Sequence, residues 1–197
     1  RAIDLAELDH LVTMGITPKF PHTGYGYIRA GEREGEGFKI AEFVEKPDLT
    51  TAENYVTNGD YYWNSGMFLF KAARYLSELR EFRPEILEAC QKAYELSINK
   101  ENVIKVDKAE FEKCPSESID YAVMENTKDA IMVGLDANWD DVGSWKSLRD
   151  IQAQDANGNV VTGDVVTSNT RNSYIRASEK LVVALGLDNQ IVIDTKD

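Results

Sequence analysis

Residues 61–70 constrain the fold most, because they place a small polar centre inside an otherwise apolar run. Aromatic residues precede the centre, Asn64-Ser65-Gly66, and apolar residues follow it. Such a run predicts a buried strand of a sheet that is covered on both faces. Because an amide buried without partners is costly, Asn64 either faces a pocket and meets a polar ligand or bonds its own backbone at a bend or bulge.

The charge balance narrows the classes of partner. Among 197 residues, acidic side chains outnumber basic ones 34 to 22, and the formal net charge is −12. No block of lysines and arginines is present, which argues against nucleic acid and against an anionic membrane as partners. A phosphate-bearing ligand would therefore depend on a few local cations, helix N-termini or a metal ion.

The two cysteines and the hydropathy indicate a cytoplasmic protein. Cys90 and Cys114 form no CxxC motif and have no nearby histidine in the sequence, so reduced thiols are expected rather than a disulfide or a zinc site. No apolar run is long enough to span a membrane, and no signal peptide is visible.

The order of elements predicts an α/β body followed by a β-rich segment. Strand patterns at residues 10–16, 38–44 and 130–135 alternate with helical patterns at 48–58, 71–80 and 84–96. A polar linker at 153–159 precedes short β-branched runs whose spacing suits either a solenoid or a meander. The expected division is therefore 1–152 and 153–197.

Two short motifs offer groups that could bind a ligand. Gly26 lies in a glycine–aromatic alternation that permits close backbone approach, although an edge strand softened by glycine is the alternative. Glu45-Lys46-Pro47 follows a predicted strand, where open α/β sheets place ligand groups. Glu45 could accept two hydroxyl groups and Lys46 could pair with phosphate; alternatively, the two form an exposed ion pair.

Carboxylates occur at two further turns. Asp120 is expected in the first turn of a helix capped by Ser116 or Ser118, where the helix dipole favours a carboxylate. Asp141 follows Asp140 between a strand and a helix, a setting that suits a divalent cation. Capping of that helix by Asp140 or Asp141 is the alternative.

Taken together, five segments resemble the bacterial mannose-1-phosphate guanylyltransferases of the sugar-nucleotide pyrophosphorylase family. In chain order the segments are Thr23-Gly-Tyr-Gly-Tyr-Ile28, Phe43-Val-Glu-Lys-Pro47, Trp63-Asn-Ser-Gly-Met-Phe68, Ser118-Ile-Asp-Tyr-Ala-Val-Met-Glu125 and Trp139-Asp-Asp-Val-Gly-Ser-Trp145. The glycine-rich nucleotide loop and the first metal-binding Asp of that family have no counterpart here. The resemblance thus implies a partial Rossmann-like nucleotidyltransferase domain with a mixed sheet, namely its sugar-binding half, followed by the start of a C-terminal β region.

The resemblance also implies an activity, in which GTP and mannose 1-phosphate give GDP-mannose and pyrophosphate with Mg²⁺ as cofactor. Lys46 would neutralise the sugar phosphate and Asp141 would bind the metal. Gly26, Glu45, Asn64 and, as a weaker candidate, Asp120 would bind mannose.

Alone, the chain is expected to be inactive, with the GTP site largely outside it. Association between copies or partial disorder is expected, because a sheet without its first strands exposes edges and apolar surface. The alternative functions are a non-catalytic sugar-phosphate sensor or scaffold and a nucleotidyltransferase for another sugar 1-phosphate.

Overall fold

A computed structural model describes residues 1–100 and 102–196 of the chain. Contacts divide it into two compact units, residues 1–137 and 138–197. Each unit is described by itself below.

The first unit combines strands and helices. Its strands are β1 Leu11–Ile16, β2 Tyr27–Glu34, β3 Gly37–Val44, β4 Tyr61–Leu69, β5 Ile98–Lys100, β6 Val103–Lys105 and β7 Ala130–Leu135. Its helices are α1 Ala2–Glu7, α2 Leu49–Asn58, α3 Ala72–Phe82, α4 Pro84–Glu95, α5 Lys108–Phe111 and a single-turn π-helix, Asp120–Met124.

Five strands form a closed ring in the order β1–β4–β2–β3–β7. β1 runs parallel to β7, whereas the other four pairings of the ring are antiparallel. The predicted α/β fold with a mixed sheet is therefore confirmed. Each strand of the ring pairs with two others, so the ring has no unpaired edge strand. Association between copies stays a prediction.

One hydrophobic core cluster lies between this ring and helices α3 and α4. It is built from apolar residues of strands, helices and the π-helix, including Leu11, Ile28, Phe43, Leu79, Leu87, Val123 and Met132. Burial of these side chains holds the π-helix against the ring, because Ala122, Val123 and Met124 are all buried there.

Strand β4 is less buried than its apolar sequence predicts. Tyr61, Trp63 and Asn64 are buried, but Gly66 and Met67 are exposed. The pairing with β1 shifts register between Thr13 and Gly15, whose partners are Phe68 and Asn64. The polar centre is therefore a bulge, and Gly66 takes the positive φ of 70° that a glycine tolerates.

Helix α2 is closed at both ends by local signals, whereas the predicted serine cap before Asp120 does not form. The Asp48 side chain accepts a hydrogen bond from Thr51 N at 2.8 Å, and Gly59 ends α2 in the left-handed conformation. The expected cap by Ser116 or Ser118 is wrong: the turn that carries Asp120 is a π-helix that begins after Ile119 without a side-chain cap. Packing of Ala122, Val123 and Met124 into the core holds it in place instead.

The fold brings the two cysteines together. The Sγ atoms of Cys90 in α4 and Cys114 are 3.9 Å apart, and both residues are free thiols. Burial and the hydrogen bond with Cys90 raise the pKa of the Cys114 thiol.

The second unit is a short helix followed by stacked parallel strands. Its elements are α6 Trp145–Asp150, β8 Val160–Thr162, β9 Val165–Ser168, β10 Tyr174–Arg176, β11 Val182–Leu185 and β12 Ile191–Ile193. β8, β10 and β12 pair in parallel, as do β9 and β11. Parallel stacking is the arrangement of a solenoid, whereas a meander would be antiparallel.

Buried polar side chains join the coils of the solenoid. Asn159 donates to Thr170 O at 2.9 Å and accepts from Ser173 N at 3.0 Å. Trp145 of α6 packs on Tyr174 of β10, with ring centroids 5.8 Å apart. This packing places α6 in the second unit, so the contacts divide the chain before the polar linker; a functional boundary at 152/153 stays a prediction.

Within residues 1–100 and 102–196, no helix is both long and apolar enough to cross a membrane.

Candidate functional site

Five of the six predicted site residues meet at one end of the ring of strands in the first unit. Tyr27 at the start of β2 pairs with Val44 at the end of β3 and with Trp63 of β4. This register places the adjoining residues Gly26, Glu45 and Asn64 side by side. Asp120 and Lys46 border the same place.

The side chains of Glu45 and Asn64 lie beside Gly26. A Cβ atom at position 26 would collide with Glu45 Oε2 and would lie 3.2 Å from Asn64 Cβ. Gly26 O also accepts a hydrogen bond from Asn64 N at 2.7 Å. β2 has partners on both sides, so the edge-strand alternative for this segment is wrong, and the missing side chain of Gly26 lets Glu45 and Asn64 lie close to its backbone.

Asn64 bonds both its own strand and the π-helix. Its Oδ1 accepts from Gly66 N at 3.2 Å, within the bulge, and its Nδ2 donates to Asp120 Oδ1 at 2.9 Å. The bulge interpretation is therefore right about the backbone. It does not exclude the ligand interpretation, because Nδ2 carries a second N–H.

The carboxylate of Glu45 has an oxygen whose hydrogen-bonding capacity is unsatisfied. Only 8% of its side chain is exposed, and Oε2 is buried with no hydrogen-bond partner among residues 1–100 and 102–196. Its other oxygen, Oε1, pairs with Lys46 Nζ at 3.0 Å. A buried acceptor without a donor is costly, so Oε2 has an unmet need for a hydroxyl or N–H group.

The environment of Glu45 raises the pKa of its carboxyl above the ordinary value of 4.5. Burial is the largest cause, and the negative charges of Asp120 and Glu125 add to it. The hydrogen bond and charge of Lys46 oppose the rise without cancelling it. A hydroxyl donor from a ligand would stabilise the ionised form.

Lys46 carries the positive charge of the site. Its side chain is 57% exposed, and the hydrogen bond with Glu45 raises its pKa. Its backbone has a φ of 48°, a conformation that costs a non-glycine residue energy and that must be held by its surroundings. The exposed-ion-pair alternative therefore describes Lys46 but not the buried Glu45.

Glu125 helps to hold this turn, and sequence reasoning missed it. Glu45 N donates to Glu125 Oε1 at 3.0 Å. Residues five apart point about 140° away from each other around an α-helix. In the π-helix Glu125 N bonds to Asp120 O, and Asp120 and Glu125 both reach the site. Single turns of this kind occur frequently at functional sites.

Aromatic packing supports the chain segment before Gly26. The ring of Trp63 meets those of Phe20 and Tyr25 edge to face, at centroid distances of 5.1 and 5.2 Å. His22 stacks on Tyr25 at 3.8 Å. These contacts fix the loop that ends at Gly26 against β4.

Asp141 lies in the second unit, on the loop before α6. It is exposed, and its Oδ1 accepts from Gly143 N at 3.1 Å. Asp140 similarly accepts from Val142 N at 2.8 Å. Neither aspartate caps α6, because Ser144 does so through Ser147 N. The capping alternative is therefore wrong.

A preformed metal site is not evident in the described part of the chain. Across the described part of the chain, no three His, Cys, Asp or Glu side chains group so that they could hold a metal ion. Asp141 thus offers carboxylate oxygens of the type that hard cations bind, but only as one ligand among others.

The first unit is therefore a mixed α/β domain with polar side chains that converge at one end of its closed ring of strands. The chain belongs to the Nucleotidyl transferase family, whose sequence model matches residues 1–158.

Curated relatives are similar along the whole chain. It is 53% identical over 201 residues to the mannose-1-phosphate guanylyltransferase of Escherichia coli K12, covering all of this chain and 42% of the relative. It is 51% identical over 196 residues to that of Klebsiella pneumoniae, with 98% of this chain and 42% of the relative covered. The Xanthan biosynthesis protein XanB of Xanthomonas campestris is 53% identical over 192 residues, with 98% and 41% covered. The chain thus spans well under half the length of these relatives.

Two solved structures have a similar fold. The chain superposes with a TM-score of 0.81 and 32% identity on a Thermus thermophilus structure described as mannose-1-phosphate geranyltransferase, covering 100% of this chain and 56% of the other. A Helicobacter pylori structure described as mannose-6-phosphate isomerase gives a TM-score of 0.65 at 35% identity, over 71% of this chain and 55% of the other.

Proposed function

We propose that this chain carries the sugar 1-phosphate part of the active site of a mannose-1-phosphate guanylyltransferase. The observation that supports it most is the buried Oε2 of Glu45, which lies close to Gly26 and has no hydrogen-bond partner among the described residues. A sugar hydroxyl would supply the missing donor. The names of the relatives specify mannose 1-phosphate as the sugar phosphate and guanylyl transfer as the reaction.

In the proposed reaction a phosphate oxygen of mannose 1-phosphate bonds to the α-phosphorus of GTP. The bond from that phosphorus to the oxygen bridging toward the β-phosphorus breaks, and pyrophosphate leaves. Because the attacking phosphate is already ionised, no general base is required. Catalysis by the protein then consists mainly of positioning two anionic substrates and neutralising their charge.

Each predicted site residue of the first unit has a role in this proposal. Glu45 accepts from a mannose hydroxyl, and Asn64 donates to one through its second amide N–H. Gly26 offers its backbone to the sugar, and Asp120 holds the amide of Asn64. The exposed ammonium group of Lys46 neutralises the sugar phosphate as a point charge.

We propose Mg²⁺ as the divalent ion, with Asp141 as a ligand. Mg²⁺ is usually bound by one or two carboxylates together with substrate phosphates, so a single exposed carboxylate fits this ion. When bound, the ion would neutralise charge on the phosphates.

The product and the cellular setting are proposed on separate grounds. GDP-mannose would supply mannose for polysaccharide synthesis, in keeping with the name of the Xanthomonas relative. The free thiols of Cys90 and Cys114 suit a reducing compartment, and we propose the cytoplasm.

Calorimetric titration of the chain with mannose 1-phosphate tests the sugar site. We expect saturable binding that is weakened by Lys46→Ala and by Glu45→Ala. Mannose without phosphate should lose the contribution of Lys46 but keep that of Glu45. Equal binding of wild type and both variants would contradict the assignment.

A further inference from the structure

Thr13 is a hydroxyl residue in the middle of the buried strand β1. It is 0% exposed. Its Oγ1 lies 3.1 Å from Asn64 Oδ1 and 3.3 Å from Met67 O. A buried hydroxyl is retained at a cost unless it is hydrogen-bonded, so these two acceptors account for its place in an apolar strand.

The contacts of Asn64 determine which of its atoms can meet a ligand. Oδ1 has two neighbouring donors, Thr13 Oγ1 and Gly66 N. Asp120 when ionised can only accept, so the atom facing it must be the amide nitrogen. With Oδ1 occupied and one N–H directed at Asp120, the second N–H is the remaining hydrogen-bonding group of this side chain.

We propose that Thr13 is a positioning residue that fixes Asn64 as a hydrogen-bond donor toward a ligand hydroxyl. The proposal rests on the sugar-phosphate site proposed above. It makes the two polar groups beside Gly26 complementary, because Asn64 Nδ2 donates and Glu45 Oε2 accepts. One hydroxyl can accept from the first and donate to the second, which favours a sugar hydroxyl over a carboxylate or an ammonium group.

Thr13 also controls the shape of the bulge. Its hydroxyl has a single hydrogen, and both acceptors within its reach belong to the segment from Asn64 to Met67. Without the hydroxyl, Oδ1 would keep only Gly66 N as a donor, and Met67 O would lose the Thr13 contact. The amide plane would then be less firmly held.

Thr13→Val removes the hydroxyl at nearly constant volume, and Thr13→Ser retains it. Thr13→Ala compared with Thr13→Ser varies the hydroxyl once the methyl group is gone, so the comparison survives if the valine variant fails to fold. Thr57→Val is the matched control, because the Thr57 hydroxyl donates within α2, to Glu53 O at 2.8 Å, at an exposed position.

Two measurements are made on each folded variant: the Kd for mannose 1-phosphate, and the side-chain amide resonances of Asn64 in ¹H–¹⁵N spectra without ligand. We expect Thr13→Val and Thr13→Ala to weaken binding about tenfold, the usual size for one lost hydrogen bond. The Asn64 resonances should shift in these variants, whereas Thr13→Ser and Thr57→Val should match wild type in both measurements.

The outcomes separate this inference from the proposed function. Absence of mannose 1-phosphate binding by the wild-type chain would overturn the sugar site and the ligand-directed role of Thr13 together. If the wild type binds, unchanged Asn64 resonances in Thr13→Val and Thr13→Ala would overturn the positioning role alone. Equal weakening in Thr13→Ser and Thr13→Ala would show an effect of volume and would also overturn it.

Discussion

Asn64 Nδ2 donates to Asp120 Oδ1 at 2.9 Å across 56 positions of sequence. The bond joins the bulge of β4 to the first residue of the π-helix. It brings together two residues that the sequence suggests for separate reasons, one as a polar interruption of a strand and the other as a helix-start acid. Their contact makes them parts of one polar network.

Asn64→Asp should disrupt this network, because it sets two carboxylates at hydrogen-bond distance. Hydrogen bonds to charged groups contribute about 1.5–3 kcal/mol, so we expect a lower melting temperature and weaker binding of mannose 1-phosphate. Adding Asp120→Asn restores one amide and one carboxylate. The double variant should recover more than half of the lost stability in thermal unfolding, and simple addition of the two single effects would contradict direct coupling.

Gly26→Ala should reduce sugar-phosphate binding while the fold persists. The new methyl group would displace Glu45 Oε2, which is the end of a flexible side chain and can move at small cost to stability. We expect Kd to rise at least about tenfold, as when a hydrogen bond is lost. Gly134→Ala is the control, since its Cβ would meet no heavy atom within 4 Å. The two variants should differ in calorimetry but have similar melting temperatures.

Acidification should weaken ligand binding at a pH above the ordinary Glu45 value of 4.5, because folding raises the pKa of this carboxyl and its protonation removes an acceptor. The folded chain binds more protons than the unfolded chain between 4.5 and the raised pKa. The stability contributed by this group therefore falls as pH rises through that interval.

Glu45→Gln should remove this component from both profiles. Glu53→Gln, at an exposed position of α2, serves as the control. Urea unfolding and calorimetry at several pH values measure the two effects, and identical profiles for Glu45→Gln and wild type would contradict the assignment.

In a protein of the length of the curated relatives, Asp141→Asn should lower turnover of GTP and mannose 1-phosphate. Loss of groups that support a metal site typically costs about 10–100-fold in affinity or activity, and loss of a ligand should cost at least that much. Asp140→Asn is the neighbouring control. A pyrophosphate-release assay over a range of Mg²⁺ concentrations gives the comparison; an unchanged rate at saturating Mg²⁺ would remove Asp141 from the metal site.

Several parts of the fold follow from local sequence. Asp48 and Gly59 mark the ends of α2 because a capping carboxylate and a glycine with positive φ act over a few residues. The β-branched runs after residue 159 predict strands because β-branched residues favour the extended backbone at their own positions. The π-helix could not be predicted this way, because core packing of residues 122–124, and not a cap, holds it.

The sequence by itself determined the residue types of the site and the strand ends that carry them. Glu45-Lys46, Asn64 and Gly26 stand out because a polar group or a glycine beside a buried strand requires a reason. The resemblance to a family of nucleotidyltransferases suggested that reason, namely binding of a sugar phosphate. Only the tertiary structure decided which of them meet and which further residues hold them.

Thr13 and Glu125 show why. Each acts through a contact with a residue far away in the chain, at separations of 51 and 80 positions. Such contacts depend on strand register and on the π turn, which burial of the whole core sets. These contacts therefore cannot be predicted from a local pattern of residues.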